Sequence, residues 1–307
     1  MPSYESNINQ VNESAVARIF MLGNTAFLLF ITVIVLLPLI FVVSASFSSA
    51  EAVIAGKVTL WPVYFSLLGY ETIFEHNKVW NGFANSLFYT FFGTLFNVTM
   101  TICAAYPLSR QDLVGRRIIT FAFIFTMLFS GGLIPTFMVV RDLGLLNTRW
   151  AMILPTGIGP FNLLIAITFF RTTIPPELHE AARIDGASDF RIFRSIILPL
   201  ARPIIAVLTL FYAVNTHWNT YFQALIYLKD QDLFPLQLVL REILIQNSID
   251  ASMLIDIEDL VAREGLRDLL KYSLIVVASV PVMLLYPFVQ NRFFEQNDGT
   301  ITQNVTS

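Results

Sequence analysis

Six segments of the 307-residue chain contain no Asp, Glu, Lys or Arg. They are residues 24–47, 83–106, 118–140, 152–170, 203–226 and 272–289. Each is close to the roughly 20 apolar residues that carry an α-helix across the hydrocarbon core of a bilayer. Lipid offers no partner to exposed backbone groups, so such a segment crosses as a helix, whose backbone hydrogen bonds are internal. The pattern predicts an all-α membrane protein with six transmembrane helices.

The composition agrees with this class. Hydrophobic residues make up 55% of the chain and charged residues 13%, whereas about a quarter of the residues of a soluble domain are charged. The first apolar segment exceeds the roughly 7–15 residues of a signal-peptide core, so we expect it to be retained as the first helix. A single cysteine, Cys103, excludes a disulfide within the chain, and we expect it to be a small buried side chain.

Arginines in two short connections predict the orientation, because cytoplasmic loops carry an excess of Lys and Arg. The connections after the second and fourth segments hold Arg110, Arg116, Arg117, Arg171, Arg183, Arg191, Arg194 and Arg202. Both connections are therefore predicted to be cytoplasmic, and with six crossings so are both termini. The opposite side receives a long acidic loop over residues 227–271, which is either solvated or a contact surface for another protein.

The connection after the fourth segment predicts a short helix over residues 176–186. Thr172 or Thr173 is placed to cap it, and Pro175 or Pro176 suits its first turn. Gly186 suits its end, because glycine readily adopts the left-handed conformation found there.

A second helix is predicted directly afterwards. Ser188 is placed as its cap, and Pro199 and Pro203 are placed to bend the chain into the fifth apolar segment.

Helical spacing places four residues of the first short helix on one face, and two adjacent alanines there permit a close approach by another surface. The four are Leu178, Ala181, Ala182 and Asp185. An interfacial helix lying on lipid headgroups is one interpretation. A protein dock is the other, and it is favoured because so small an apolar face would bury little area in lipid.

The same connection resembles a known motif. The residues and spacing of Glu180-Ala181-Ala182, Asp185-Gly186-Ala187-Ser188 and Leu198-Pro199 are similar to the EAA loop of bacterial ABC importer permeases. Four further stretches resemble the carbohydrate-importing branch of that family. They are NSLFYTFFGT (85–94), AAYPLSR (104–110), GGLIPTFMVVRDLGLLNTRWAMILP (131–155) and YPFVQNRFF (286–294). Residues 217–244 are most similar to the subgroup that imports complex oligosaccharides or polysaccharide fragments.

The resemblance implies a type I ABC importer permease fold, in which residues 176–186 form a cytoplasmic coupling helix that docks on an ATPase subunit. The residues carried over to ATPase coupling are Glu180, Ala181, Ala182, Asp185, Gly186 and Ala187. The implied partners are a second homologous permease subunit, two cytoplasmic ABC ATPase subunits, an extracytoplasmic solute-binding protein and the sugar, all at the bacterial cytoplasmic membrane. The sequence contains no GxxxxGK[ST] motif. ATP and Mg are therefore expected on the ATPase partners, with no cofactor on this chain, and no nucleic-acid partner is expected.

The chain is divided accordingly into a flexible cytoplasmic N-terminal segment (1–22), a transmembrane permease domain (23–294) and a flexible C-terminal tail (295–307). The tail departs from the glycine-rich, lysine-containing ending common among carbohydrate permeases, so any contact that such an ending makes with the ATPase is in doubt here.

Polar and aromatic residues are concentrated in the fifth apolar segment, where rings can stack on sugars and amides can bond their hydroxyls. Helical spacing puts Asn215, Trp218, Asn219 and Phe222 on one face, the preferred lining of a sugar path, with His217 and Tyr221 on the neighbouring face. The alternative is an aromatic belt at the outer membrane interface. Asn162 in the fourth segment is a weaker candidate, and the residues 130–132 in the third are read as a packing site or a helix break as well as a lining.

Three classes of function are compatible with the sequence. The favoured one is the permease subunit of an ATP-driven ABC importer for carbohydrates, working by alternating access; an ABC permease for another solute is a variant of it. The second is an ATP-independent sugar channel or facilitator. A membrane-embedded enzyme is disfavoured because the sequence offers no clustered His, Asp or Glu set at a membrane surface.

Overall fold

The computed structural model describes residues 15–75, 77–251 and 265–284. Within these ranges the chain is helical and forms no β-strand. The α-helices are α1 (Ala15–Ser46), α2 (Ala50–Ile54), α3 (Leu68–Glu75), α4 (Asn77–Ser109), α5 (Arg116–Leu128), α6 (Leu133–Asp142), α7 (Pro160–Thr173), α8 (Pro176–Ile184), α9 (Asp189–Ile192), α10 (Leu198–Leu200), α11 (Arg202–Phe211), α12 (Phe222–Tyr227), α13 (Leu236–Ala251) and α14 (265–284). Two π-helical segments, Phe193–Ile197 and Tyr212–Trp218, precede α10 and follow α11. Short 3₁₀ helices occupy Arg149–Met152, Leu154–Thr156 and Gln231–Leu233.

Two helices, α1 and α4, are each long and apolar enough to cross a membrane, and three bent pairs pass the same test together. The described residues thus supply up to five crossings if each bent pair counts as one. The sixth apolar segment, 272–289, begins in α14 and ends outside the described residues.

The third apolar segment is not one straight helix. Its two halves, α5 and α6, meet at a bend of 117°. The break falls at Gly132, whose φ of +84° and ψ of −178° no side-chain-bearing residue adopts easily. Of the three roles predicted for residues 130–132, which are a packing site, a helix break and a lining, the structure shows the helix break.

The proline-rich entry to the fifth segment bends as predicted, by 73° between Asp189–Leu200 and Arg202–Trp218. The break lies at Ala201, between Pro199 and Pro203. Each proline lacks an amide hydrogen, so the helix loses a backbone bond at each position.

Helix α4 joins two hydrophobic cores. Its C-terminal half packs with α7, α8, α9 and α11 around Ile102, Ala105 and Leu163. Its N-terminal half packs with α12, α13 and α14 around Tyr89, Leu236 and Leu274. One continuous helix therefore connects the region of α8 to the region of α13 and α14.

Helix α1 lies outside both cores, and the side chains of residues 18–40 are exposed. This is the surface expected of a helix that faces lipid or a partner chain. Residues 15–22, assigned from the sequence to a separate N-terminal segment, are the first residues of α1.

Cys103 of α4, predicted to be buried, is exposed. The prediction is wrong because the apolar environment of a membrane helix does not have to be the protein interior.

Candidate coupling helix and translocation groove

Helix α8 begins without a side-chain cap. Pro175 occupies the N-cap position, and Pro176 is the first helical residue. The predicted cap by Thr172 or Thr173 is wrong, since both belong to α7. The Thr172 hydroxyl donates instead to the carbonyl of Thr168, 3.0 Å away.

The end of α8 is fixed by backbone hydrogen bonds around Gly186. The φ angle of Gly186 is +76°, and the Gly186 amide donates to the carbonyl of Arg183 at 3.0 Å. The amide of Ala187 donates to the carbonyl of Ala182, also at 3.0 Å. This pair of bonds defines a Schellman motif, which requires a left-handed residue at the position of the glycine. The Ser188 hydroxyl then accepts the Arg191 amide and caps α9, as predicted.

The predicted alanine face of α8 is divided. Ala182 is buried in the same core as Ile192 and Ile197, whereas Leu178, Ala181 and Asp185 remain exposed. Among the other residues assigned to coupling, Glu180 and Gly186 are exposed and Ala187 is half-buried. The sequence reading missed two apolar side chains beside them, Ile184 (86% exposed) and Phe190 (72% exposed). Together they give α8 and α9 a larger exposed apolar surface than the alanines alone.

A polar cluster ties this surface to the end of α4. The Arg110 guanidinium forms ion pairs with Asp112 and, at 3.3 Å, with Asp189. His179 lies 3.5 Å from the Asp189 carboxylate and 3.3 Å from the Tyr106 hydroxyl. His179 is half-buried at this junction.

The charges in this cluster shift one another's protonation. The Arg110 guanidinium lowers the pKa of Asp112 to about 2, and its bond to Asp112 raises the pKa of Arg110. Burial lowers the pKa of His179, and the nearby Arg110 lowers it further, against the opposing effect of Asp189. Burial and the neighbouring cation thus favour the neutral form of the imidazole.

The π-helical turn Tyr212–Trp218 changes which residues of the fifth segment share a face. His217 is fully buried and Trp218 is 2% exposed. The His217 Nε2 lies 2.7 Å from Asn97 Oδ1, and the Trp218 indole donates to the carbonyl of Ala278 at 3.0 Å. The predicted face of Asn215, Trp218, Asn219 and Phe222 is therefore not formed, because π-helical spacing and packing turn Trp218 inward while the other three are exposed.

Two adjoining clefts run between this segment and α14, sharing Val282 and Met283 in their linings. The larger has a volume of about 680 Å³ and is lined by Asn219 and Tyr221; the smaller, of about 540 Å³, is lined by Asn215. We call this pair of clefts the α14 groove. Of the remaining predicted lining residues, Phe222 and Asn162 lie outside its described lining, exposed and half-buried respectively.

Polar residues that the sequence reading missed complete the α14 groove. Gln237 and Arg241 come from α13, and Lys271 and Ser279 from α14. Gln237, Arg241 and Lys271 escape the sequence prediction because residues 227–271 are predicted to be one acidic loop, whereas the structure forms α13 and the start of α14 within it. In the described part of the chain, no group of three or more His, Cys, Asp and Glu side chains is placed to hold a metal ion.

Comparison with known proteins identifies the family. Residues 11–296 match the family model described as "Binding-protein-dependent transport system inner membrane component". The polygalacturonan/rhamnogalacturonan transport system permease protein YtcP of Bacillus subtilis is 44% identical, with 90% of this chain and 95% of that protein covered. Protein LplC of the same organism is 38% identical, with 94% and 96% covered.

A solved structure agrees with these matches in both sequence and fold. A chain from the crystal structure of a bacterial ABC transporter involved in import of the acidic polysaccharide alginate is 33% identical, with a TM-score of 0.80 and coverage of 91% of this chain and 98% of that one. The chain described here therefore belongs to the family of binding-protein-dependent transport system inner membrane components, the permease subunits of ABC importers.

Proposed function

We propose that this permease imports oligosaccharides by alternating access, coupled through α8 and α9 to ATPase subunits on separate chains. The observation that carries the proposal is the continuity between the two candidate sites. Helices α8 and α9 lead through α10 and α11 directly into the segment that holds Asn215, Asn219 and Tyr221. A movement of α8 is thus delivered to the groove along connected, packed helices, as rigid-body switching requires.

The coupling surface is assigned to Glu180, Ala181, Asp185 and Gly186, with Ile184 and Phe190 as its apolar contacts. Exposed apolar side chains beside charged ones are typical of a protein interface. Ala182 and Ala187 contribute from the inner side, where Ala182 packs into the core. The sequence resemblance to the EAA loop supports the same assignment.

The topology proposed has six crossings, with both termini and α8 in the cytoplasm and residues 227–271 on the opposite side. The arginine distribution supports it. The α14 groove then lies towards the outer side, where a solute-binding protein would release its sugar. Its amides and the Tyr221 ring suit sugar hydroxyls and sugar faces.

The assembly proposed contains a second permease subunit, two ABC ATPase subunits carrying ATP and Mg, and an extracytoplasmic solute-binding protein, in the bacterial cytoplasmic membrane. The family description, which names binding-protein dependence and the inner membrane, supports this assembly. The terminal segments 1–14 and 295–307 and the motif at 286–294 lie outside the described residues.

Uptake in proteoliposomes tests the proposal. The permease is reconstituted with its partner permease, ATPases and solute-binding protein, and accumulation of labelled oligosaccharides is followed with and without ATP inside the vesicles. We expect accumulation only with ATP and all subunits. Equal uptake by this chain alone without ATP would favour the channel, and ATP-driven uptake of a non-carbohydrate solute with none of any oligosaccharide would refute the sugar assignment.

A further inference from the structure

The larger cleft of the α14 groove carries two cations. Arg241 of α13 and Lys271 of α14 line it, and its described lining contains no Asp or Glu. Neither cation forms an ion pair within the described ranges. The Lys271 ammonium lies 5.7 Å from the centroid of the Tyr272 ring, a contact that leaves its hydrogen-bond donors available.

The same cleft presents neutral sugar-binding groups. Asn219 and Gln237 supply amides, Ser279 a hydroxyl and Tyr221 an aromatic ring with a polar end. The cleft volume of about 680 Å³ falls within the range of roughly 300–1,000 Å³ usual for small-ligand sites. These groups bind hydroxyls and sugar faces whether or not the sugar is charged.

The two cations favour the binding of a sugar that carries carboxylates over the binding of a neutral sugar. A carboxylate accepts charge-assisted hydrogen bonds from guanidinium and ammonium groups, and these bonds are about twice as strong as neutral ones. We propose that the larger cleft is a subsite for the carboxylates of an acidic oligosaccharide, with Arg241 and Lys271 as its specificity-determining residues. This rests on the proposed function and names the substrate class within it.

The charges around the cleft are compatible with an anionic ligand. Glu242 follows Arg241 along α13, and Asp268 lies one turn before Lys271 on α14, but neither belongs to the described lining. The positive side chains are the ones presented to the groove. One similar protein is named as a permease for polygalacturonan and rhamnogalacturonan, and another belongs to a transporter involved in import of the acidic polysaccharide alginate. Both descriptions support an acidic ligand for the chain described here.

Equilibrium binding of two sugars that differ only in their carboxylates tests the subsite. The complete transporter, held in lipid nanodiscs without solute-binding protein, is titrated with α-1,4-linked trigalacturonate and with the carboxyl-reduced galactotriose. We expect tighter binding of trigalacturonate, and a loss of about tenfold in the double variant Arg241→Gln/Lys271→Gln, with galactotriose affinity unchanged. The charge-retaining pair Arg241→Lys/Lys271→Arg should keep most of the preference.

Lys229→Gln is the matched control, because Lys229 is an exposed cation that does not belong to the described groove lining. The inference is overturned by equal affinity for both sugars, by an equal loss in Lys229→Gln, by parallel losses of both sugars in the double variant, or by binding of neither. It is also overturned if the double variant keeps its trigalacturonate affinity and loses only stimulation by the solute-binding protein, since the cations would then contact that protein. The proposed function is decided separately, by ATP-dependent uptake of any oligosaccharide.

Discussion

His217 and Asn97, 120 residues apart in the chain, are joined by a buried hydrogen bond of 2.7 Å between Nε2 and Oδ1. The amide nitrogen of Asn97 donates to the carbonyl of Thr156, so its oxygen is the acceptor and His217 Nε2 is the donor. The imidazole thus links the π-helical turn to α4 and, through Asn97, to the 3₁₀ helix before α7. His217 is thus held inside the protein by packing and by this hydrogen bond, outside the described lining of the α14 groove.

Replacing Asn97 by Ala should destabilise the assembled transporter. The change leaves His217 Nε2 and the Thr156 carbonyl without this partner, and an unsatisfied buried polar group costs about 1–3 kcal/mol. Thermal unfolding of the purified complex measures the effect. Thr99→Ala is the control on the same helix, since the exposed Thr99 hydroxyl bonds only its own helix, at Leu95; equal losses in the two variants would contradict the bridging role.

Gly93→Ala should also destabilise the protein, because the new Cβ would lie 2.3 Å from His217 Cε1. A buried ring that must move costs about 1–3 kcal/mol. His217→Ala removes the ring that the new Cβ would meet. Gly93→Ala should therefore cost much less stability in the His217→Ala background than in the unmodified protein. Gly23→Ala in α1, where nothing lies within 4 Å, should be nearly neutral in the same unfolding measurement.

Gly186→Val should weaken association with the ATPase subunits. The φ of +76° at Gly186 becomes strained by about 1–2 kcal/mol with a side chain present, and the Schellman motif that orients α8 is lost. Gly144→Val is the matched control, since Gly144 has a φ of +69° and follows α6, on the side of the proposed topology opposite to α8. Co-purification of the ATPases should fall in the first variant and persist in the second; normal ATPase binding and ATP-driven transport by Gly186→Val would refute the coupling assignment.

Arg110→Gln should weaken the coupling between substrate and ATP hydrolysis while changing the stability of the fold only slightly. Asp112 and Asp189 are both more than half exposed, so the lost pairs stabilise the fold by no more than about 1 kcal/mol. The ion pair that links Asp189 of α9 to the end of α4 is nonetheless removed, and substrate-stimulated ATP hydrolysis should fall. Arg141→Gln breaks the comparable pair with Asp142 at the end of α6 and should leave that stimulation unchanged.

Acidification should loosen α8 through His179. Its pKa is lowered from 6.5 in the folded protein, so between that lowered value and pH 6.5 the unfolded chain binds more protons than the folded one. Stability is therefore full above pH 6.5 and falls as the pH drops through this window. His179→Gln should flatten the decrease in unfolding temperature between pH 7.5 and 5.5, and an unchanged slope would exclude His179 as its source.

Much of the architecture follows from local chemistry that the sequence states directly. A charge-free apolar segment is stable in lipid only as a helix, and the left-handed end of α8 needs Gly186 wherever the helix packs. The cap at Ser188 and the bend around Pro199 and Pro203 are equally local. These features are readable because each depends on residues within a turn or two of one another.

The side on which each polar residue lies was decided by the tertiary structure. A seven-residue π-helical turn, Tyr212–Trp218, shifts the register of the fifth segment, and contacts with Asn97 and Ala278 draw His217 and Trp218 into the interior. The same packing leaves Asn219 and Tyr221 facing Arg241 and Lys271, residues that are distant in sequence and belong to a segment read as a loop. Helical spacing alone predicts neither the burial of His217 and Trp218 nor the cleft shared with Arg241 and Lys271. The free energy that selects the buried face of a helix comes from its partners on other helices.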